Sequence, residues 1–155
     1  MLILLAGIAA AACPAPSTTA DVQRTVESAL LTFVQLDDEG FELQRRGAID
    51  TVVCLGEVIH APHAASFLRM EGVAAFASVN QPFAVTAFRS ALSVQPNYQL
   101  KAALAPPGGP LANVYESASQ VPQSTWTLPP SGGVRFVNGI QTDVVPAGLA
   151  VVQLA

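Results

Sequence analysis

The chain predicts a mostly α-helical protein, antiparallel helical hairpins followed by a short C-terminal β-hairpin, on three observations. Apolar residues recur at helical intervals in consecutive segments between Asp21 and Val94, as the core faces of packed helices do. From Gly72 to Pro96 small and large residues are interleaved. Ala84, Phe88 and Ala91 share one helix face, so a neighbouring backbone can approach closely and a ring can fill the remaining gap. Near the C-terminus, Asn138-Gly139, the dipeptide favoured in tight hairpin turns, follows the short apolar run Val134 to Val137.

Asp21 reads as the N-cap of a first helix to about Leu36, with Val22, Val26, Ala29, Leu30, Phe33 and Val34 inward. The polar run Asp37 to Gly40 ends it. A second helix, about Phe41 to Leu55, turns Phe41, Ala48, Val52 and Leu55 inward, with Gly56 as its C-cap. Pro62 opens a third helix to about Ser78, where Ala65, Leu68, Gly72, Ala75 and Phe76 form the apolar face. A fourth runs from Pro82 to Val94 and is closed by Pro96-Asn97. Leu100 to Leu104 is ambiguous and the segment from Ala105 to Pro110 is a break. Leu111, Val114, Tyr115 and Ala118 predict a fifth helix over 111–119 that caps the open end of the hairpins. Pro- and Gly-rich residues 120–133 read as a linker, and residues 134–155 as the β-hairpin, with Ala150 to Leu154 a further strand.

Residues 1–12 form an uncharged apolar run that ends in small side chains before Cys13. It is shorter than the roughly 20 residues a membrane-spanning helix needs. It reads as a secretory signal peptide, with Ala10-Ala11-Ala12 suited to a signal peptidase pocket. The order from Ile8 to Cys13 resembles a bacterial lipobox, which implies lipidation of Cys13, a membrane contact through that lipid and a place in the cell envelope, periplasmic or on the outer membrane. Residues 13–20, with Pro14 and Pro16, then read as a flexible tether.

The interleaved small and large residues between Ala65 and Tyr98 resemble one tetratricopeptide repeat, and Gly47, Thr51 and Cys54 fall at matching places in the first hairpin. The resemblance implies a TPR-like helical domain over residues 21–119 that binds a protein or peptide in a groove lined by the first helix of each hairpin. Carried over by position, Arg69, Val73 and Phe76 face that groove, with Arg69 the charge that would hold a carboxylate. The other reading packs Val73 and Phe76 against the first hairpin. Repeat arrays usually need at least about three units to bury their faces. A second copy of the chain, a partner helix or the C-terminal segments must therefore finish the core. Val134 to Gly139, with Val145 to Gly148 and a last apolar strand, is similar to part of the PEGA module, a small extracytoplasmic β unit.

Chemistry finds no foothold in the sequence. The formal charge of −4 and only seven basic residues exclude a nucleic-acid surface. Pro62 keeps His60 and His63 off one continuous helix face, and no third ligand stands at metal-site spacing, so no metal and no cofactor are expected. Asp37 to Gly40 falls short of a calcium loop, and no serine sits in a nucleophile elbow. Cys54 reads as a small apolar core residue. A bond to Cys13 is the alternative if Cys13 carries no lipid, and the sequence leaves it open. The expectation is a non-catalytic, exported, lipid-anchored scaffold. The rival is a structural or cell-wall-binding module that acts through the exposed β edge at Val134 to Val137.

Overall fold

A computed structural model describes residues 3–6, 13–122, 124–130 and 132–155 of the chain. The chain is mostly helical, as expected. Its helices are α1 (Thr19–Val34), α2 (Asp38–Val53), α3 (Ala61–Ala77), α4 (Gln81–Val94) and α5 (Pro110–Gln120). Its strands are β1 (Ile3–Ala6), β2 (Thr125–Thr127), β3 (Arg135–Val137), β4 (Ile140–Gln141), β5 (Val144–Pro146) and β6 (Ala150–Leu154).

The N-cap of α1 is Thr18, three residues before the Asp21 expected. Its hydroxyl accepts from the Asp21 N–H while the Asp21 carboxylate accepts from Thr18 N, a reciprocal capping box. Those bonds, the backbone one foremost, hold the Asp21 carboxyl below its usual pKa. α1 pairs with α2 and α3 with α4, and both hairpins are turned by the same device. Leu36 (φ 61°) and Val79 (φ 59°) each sit in the left-handed region just past a helix end. Asp37 N then reaches back to Thr32 O, and Asn80 N to Ala75 O, as in a Schellman turn. Asp37 and Asn80 in turn cap α2 and α4 with their side chains.

The core runs between α1, α3 and α4, with α5 closing one end. Ala65, Leu68, Gly72 and Ala75 of α3 are buried as predicted, and Phe88 of α4 lies fully buried over Gly72. Leu111, Val114, Tyr115 and Ala118 of α5 are all buried, and Tyr115 meets Phe88 edge-on at 5.2 Å between ring centroids.

The C-terminal region is larger than a hairpin. Asn138 (φ 52°) and Gly139 (φ 80°) form the expected tight turn between β3 and β4. β3 also pairs antiparallel with β6, and β6 pairs parallel with β1, giving the order β1-β6-β3-β4. β3 (Arg135–Val137) is therefore interior to a sheet, so the run Val134 to Val137 is not the exposed edge expected, and only Val134, which precedes the strand, is exposed. The segment expected to be a linker contributes β2, which pairs with β5 and sets Trp126 against Val145.

The sheets finish the helical core themselves. Leu149 packs with Leu68, Ala87 and Ala91, and Val151 joins the main cluster. Gln153 of β6 clamps the α2–α3 loop, donating to Glu57 O and accepting from Ile59 N, both at 2.8 Å. Arg89 of α4 donates to Ala147 O at 2.9 Å. A side chain on Gly139 would strike the backbone of Ile59 and Ala61, so a glycine there lets the hairpin tip lie against the α3 start.

Candidate functional site

Three regions carry the residues singled out by sequence: the inner face of α3, the junction around Cys13, and the outer face of the sheets. On α3, Arg69 is 4% exposed and Val73 is fully buried, so neither lines a groove; Phe76 is half-buried against the same core. Arg69 instead points towards the α4–α5 connection. Its guanidinium donates to Gln95 Oε1 and Ser66 Oγ, both at 2.8 Å, and stacks 3.6 Å from the Tyr98 ring centroid. Burial lowers its pKa and raises that of Tyr115, whose hydroxyl donates to Tyr98 O at 2.9 Å. The position matched by resemblance thus fastens the loop after α4, and the partner-binding assignment of Arg69 and Val73 is corrected to core packing.

At the N-terminal junction, Cys13 and Cys54 form a disulfide, with their Cα atoms 5.6 Å apart. Cys54 is half-buried and is not the small apolar core residue expected. A sulfur in a disulfide is not available for a thioether lipid, so bond and lipid are alternative fates of Cys13. Nor are the next residues a free tether. Ser17 N donates to Cys54 O at 2.8 Å and Gly56 N to Ser17 O at 3.0 Å, a parallel bridge between Ser17 and Leu55. Gly56 sits under Pro16 where a side chain would clash, which corrects its assignment as the cap of α2; that cap is Cys54. Glu57 accepts from Thr19 N at 2.6 Å, and that backbone bond, foremost, holds its carboxyl below the usual pKa. Of the expected signal peptide, residues 1–2 and 7–12 lie outside the described residues, and the backbone of Ile3–Ala6 is strand β1.

The outer face of the sheets holds a shallow open groove of about 240 Å³ between the end of α4 and the two sheets. Val94, Val137, Ile140, Thr142, Val144 and Pro146 are among its walls. Ile140 and Val144 are 49% and 44% exposed, and the surface is mainly aliphatic. No group of three or more metal-ligating side chains occurs among the described residues, and His60 and His63 stack on each other at 5.7 Å. No helix among the described residues is long and apolar enough to cross a membrane.

Sequence reasoning missed the polar anchors. Arg45 of α2 grips Glu71 of α3 through two bonds of 2.8 Å, and Glu71 is 5% exposed. This pairing, chiefly its hydrogen bond, raises the pKa of Arg45. Arg135 pairs with Asp143 at 3.1 Å across the outer sheet region. A carboxylate among the mostly apolar residues of α3 was the available signal for the first. Comparison with protein-family models, with curated proteins and with solved structures finds no match to this chain.

Proposed function

We propose that this chain is an exported, non-catalytic scaffold that binds protein partners outside the cytoplasm. The observation that carries the reading is the Cys13–Cys54 disulfide, which directly follows an apolar run ending in Ala10-Ala11-Ala12. Disulfides persist in oxidising compartments and are rare in the cytosol, so leader and bond point to the same destination. Cleavage after Ala12 would leave Cys13 as the first residue, stapled to the end of α2. The helical hairpins suit a scaffold of the tetratricopeptide kind, and the bacterial envelope is the setting that the leader suggests.

A second feature moves the partner contact away from the helices. With Arg69 and Val73 buried, the exposed aliphatic surface at Ile140 and Val144 favours recognition through the β region. Its aliphatic walls suit a protein side chain better than the hydroxyls of a wall glycan.

The test is intact-mass spectrometry of the protein expressed with its own leader in a bacterium, alkylated before and after reduction. A chain starting at Cys13 that takes up alkyl groups only after reduction is expected. A diacylglycerol increment on Cys13 would establish a lipoprotein and remove the disulfide. A cytosolic chain retaining Met1 with two free thiols would overturn the export reading.

A further inference from the structure

In β6, pairing with β3 uses alternate residues. Val134 and Ala155 exchange both backbone bonds, Asn138 N donates to Val151 O, and Phe136 stands opposite Gln153. The backbone groups of Val151, Gln153 and Ala155 therefore face β3. Those of Ala150, Val152 and Leu154 face the other way, towards β1.

Strand β1 lies within the segment that export would remove. Its loss would leave Ala150, Val152 and Leu154 with unpaired N–H and C=O groups on a strand that has no charge, proline or bulge to protect its edge. Among the described residues of the processed chain, every remaining strand is already paired elsewhere and none is free to refill the place. Cys13 is bonded to Cys54, and Ser17 is bridged to Leu55, so the new N-terminus is held at the end of α2.

We propose that leader removal turns the outer edge of β6 into an acceptor for an extended, uncharged aliphatic strand of a partner protein, added parallel to β6 in the place of Ile3–Ala6. The inference rests on the export reading above. The occupant's chemistry is set by the segment seated there, Ile3-Leu4-Leu5-Ala6, in register from Ile3 opposite Ala150 to Ala6 opposite Gln153. A symmetric pairing of two β6 edges about a two-fold axis is antiparallel, whereas the seated strand is parallel, which favours a different partner over a second copy. Backbone bonds along the vacated edge supply the affinity.

The probe is a soluble peptide carrying Ile-Leu-Leu-Ala between flanking lysines, with Ile-Leu-Pro-Ala as its control. Hydrogen exchange is followed at the Val152 and Leu154 amides. In protein expressed from the full gene and recovered with Cys13 as its first residue, the peptide should slow both amides at least tenfold, and the proline control should not. A cleavage-blocked Ala10→Leu/Ala12→Leu chain, which keeps β1, should show those amides already protected and indifferent to peptide. If the host leaves Met1 in place, the export reading fails on the mass alone. The edge is then tested in the full-length Leu4→Pro/Leu5→Pro variant, with near-ultraviolet circular dichroism confirming that it is folded. Unchanged exchange in either open-edge protein, or equal protection without peptide in a self-associated one, overturns the proposal.

Discussion

Replacing Gly72 by alanine tests the packing at the centre of the molecule. A methyl group there would lie 2.5 Å from Phe88 Cδ1 and 2.9 Å from Cζ. Non-bonded carbons prefer about 3.5–4.0 Å, so the ring must retreat by about 1 Å. Phe88 has nowhere to go: it is fully buried, and its far side meets Tyr115, which is itself bonded to the backbone at Tyr98. Overpacking of this kind costs about 1–3 kcal/mol, and the better helix propensity of alanine returns about 1. A net loss of up to about 2 kcal/mol is expected, read as a fall in Tm of up to about 8 °C in a chain of this size. Gly47 is the internal control, a helical glycine with nothing within 4 Å of its missing side chain. Gly47→Ala should therefore gain up to about 1 kcal/mol. In a Phe88→Leu background Gly72→Ala should become neutral or favourable, because the obstructing ring is gone. Thermal and urea unfolding of the variants measure the cycle. Gly72→Ala and Gly47→Ala shifting stability alike would refute the close approach of α3 and α4.

Other consequences can be checked with the same unfolding assays. Arg45→Met leaves the Glu71 carboxylate unpaired at 5% exposure and should cost about 3–5 kcal/mol, whereas Arg45→Met/Glu71→Met should recover most of the loss. Val79→Gly should stabilise by about 1 kcal/mol, since a β-branched residue sits there at φ 59° with its side chain exposed. Glu57 has a folded pKa below its ordinary 4.5, so its contribution is present above that value and is lost as pH falls through the depressed one. Tm measured from neutral to acid pH should accordingly drop below about pH 4.5. Glu57→Gln, which keeps an oxygen acceptor for Thr19 N, should make that acid limb shallower.

The helical hairpins were legible because their information is local. Periodicity placed the apolar faces, and Pro62, Pro82 and Pro96 marked boundaries within a residue or two of those observed. α5 was legible for the same reason. The sheet was not, since β3 and β6 find each other across the loop that holds β4 and β5, and β2 is a three-residue strand whose alternation, Thr125-Trp126-Thr127, is too short to stand out in a proline-rich stretch. Arg69 misled because an arginine on an amphipathic pattern suggests solvent or a ligand. Here a loop folds back so that Tyr98 and Gln95 receive it, a placement that no spacing encodes. The disulfide was open for a similar reason. Spacing cannot say that residues 41 apart in sequence end with their Cα atoms 5.6 Å apart.

Asn138 closes the sheet in an unusual way: its side-chain oxygen, not its backbone carbonyl, accepts the Val151 N–H at 2.8 Å, and the residue is 3% exposed. An asparagine before glycine is the pair that ages fastest in loose chains, because the next backbone nitrogen attacks the carboxamide and closes a succinimide ring. That attack requires the side chain to swing away from Val151 and the turn to open. Folding therefore acts as a preservative at Asn138, and isoaspartate there would date the time a molecule has spent with this hairpin undone.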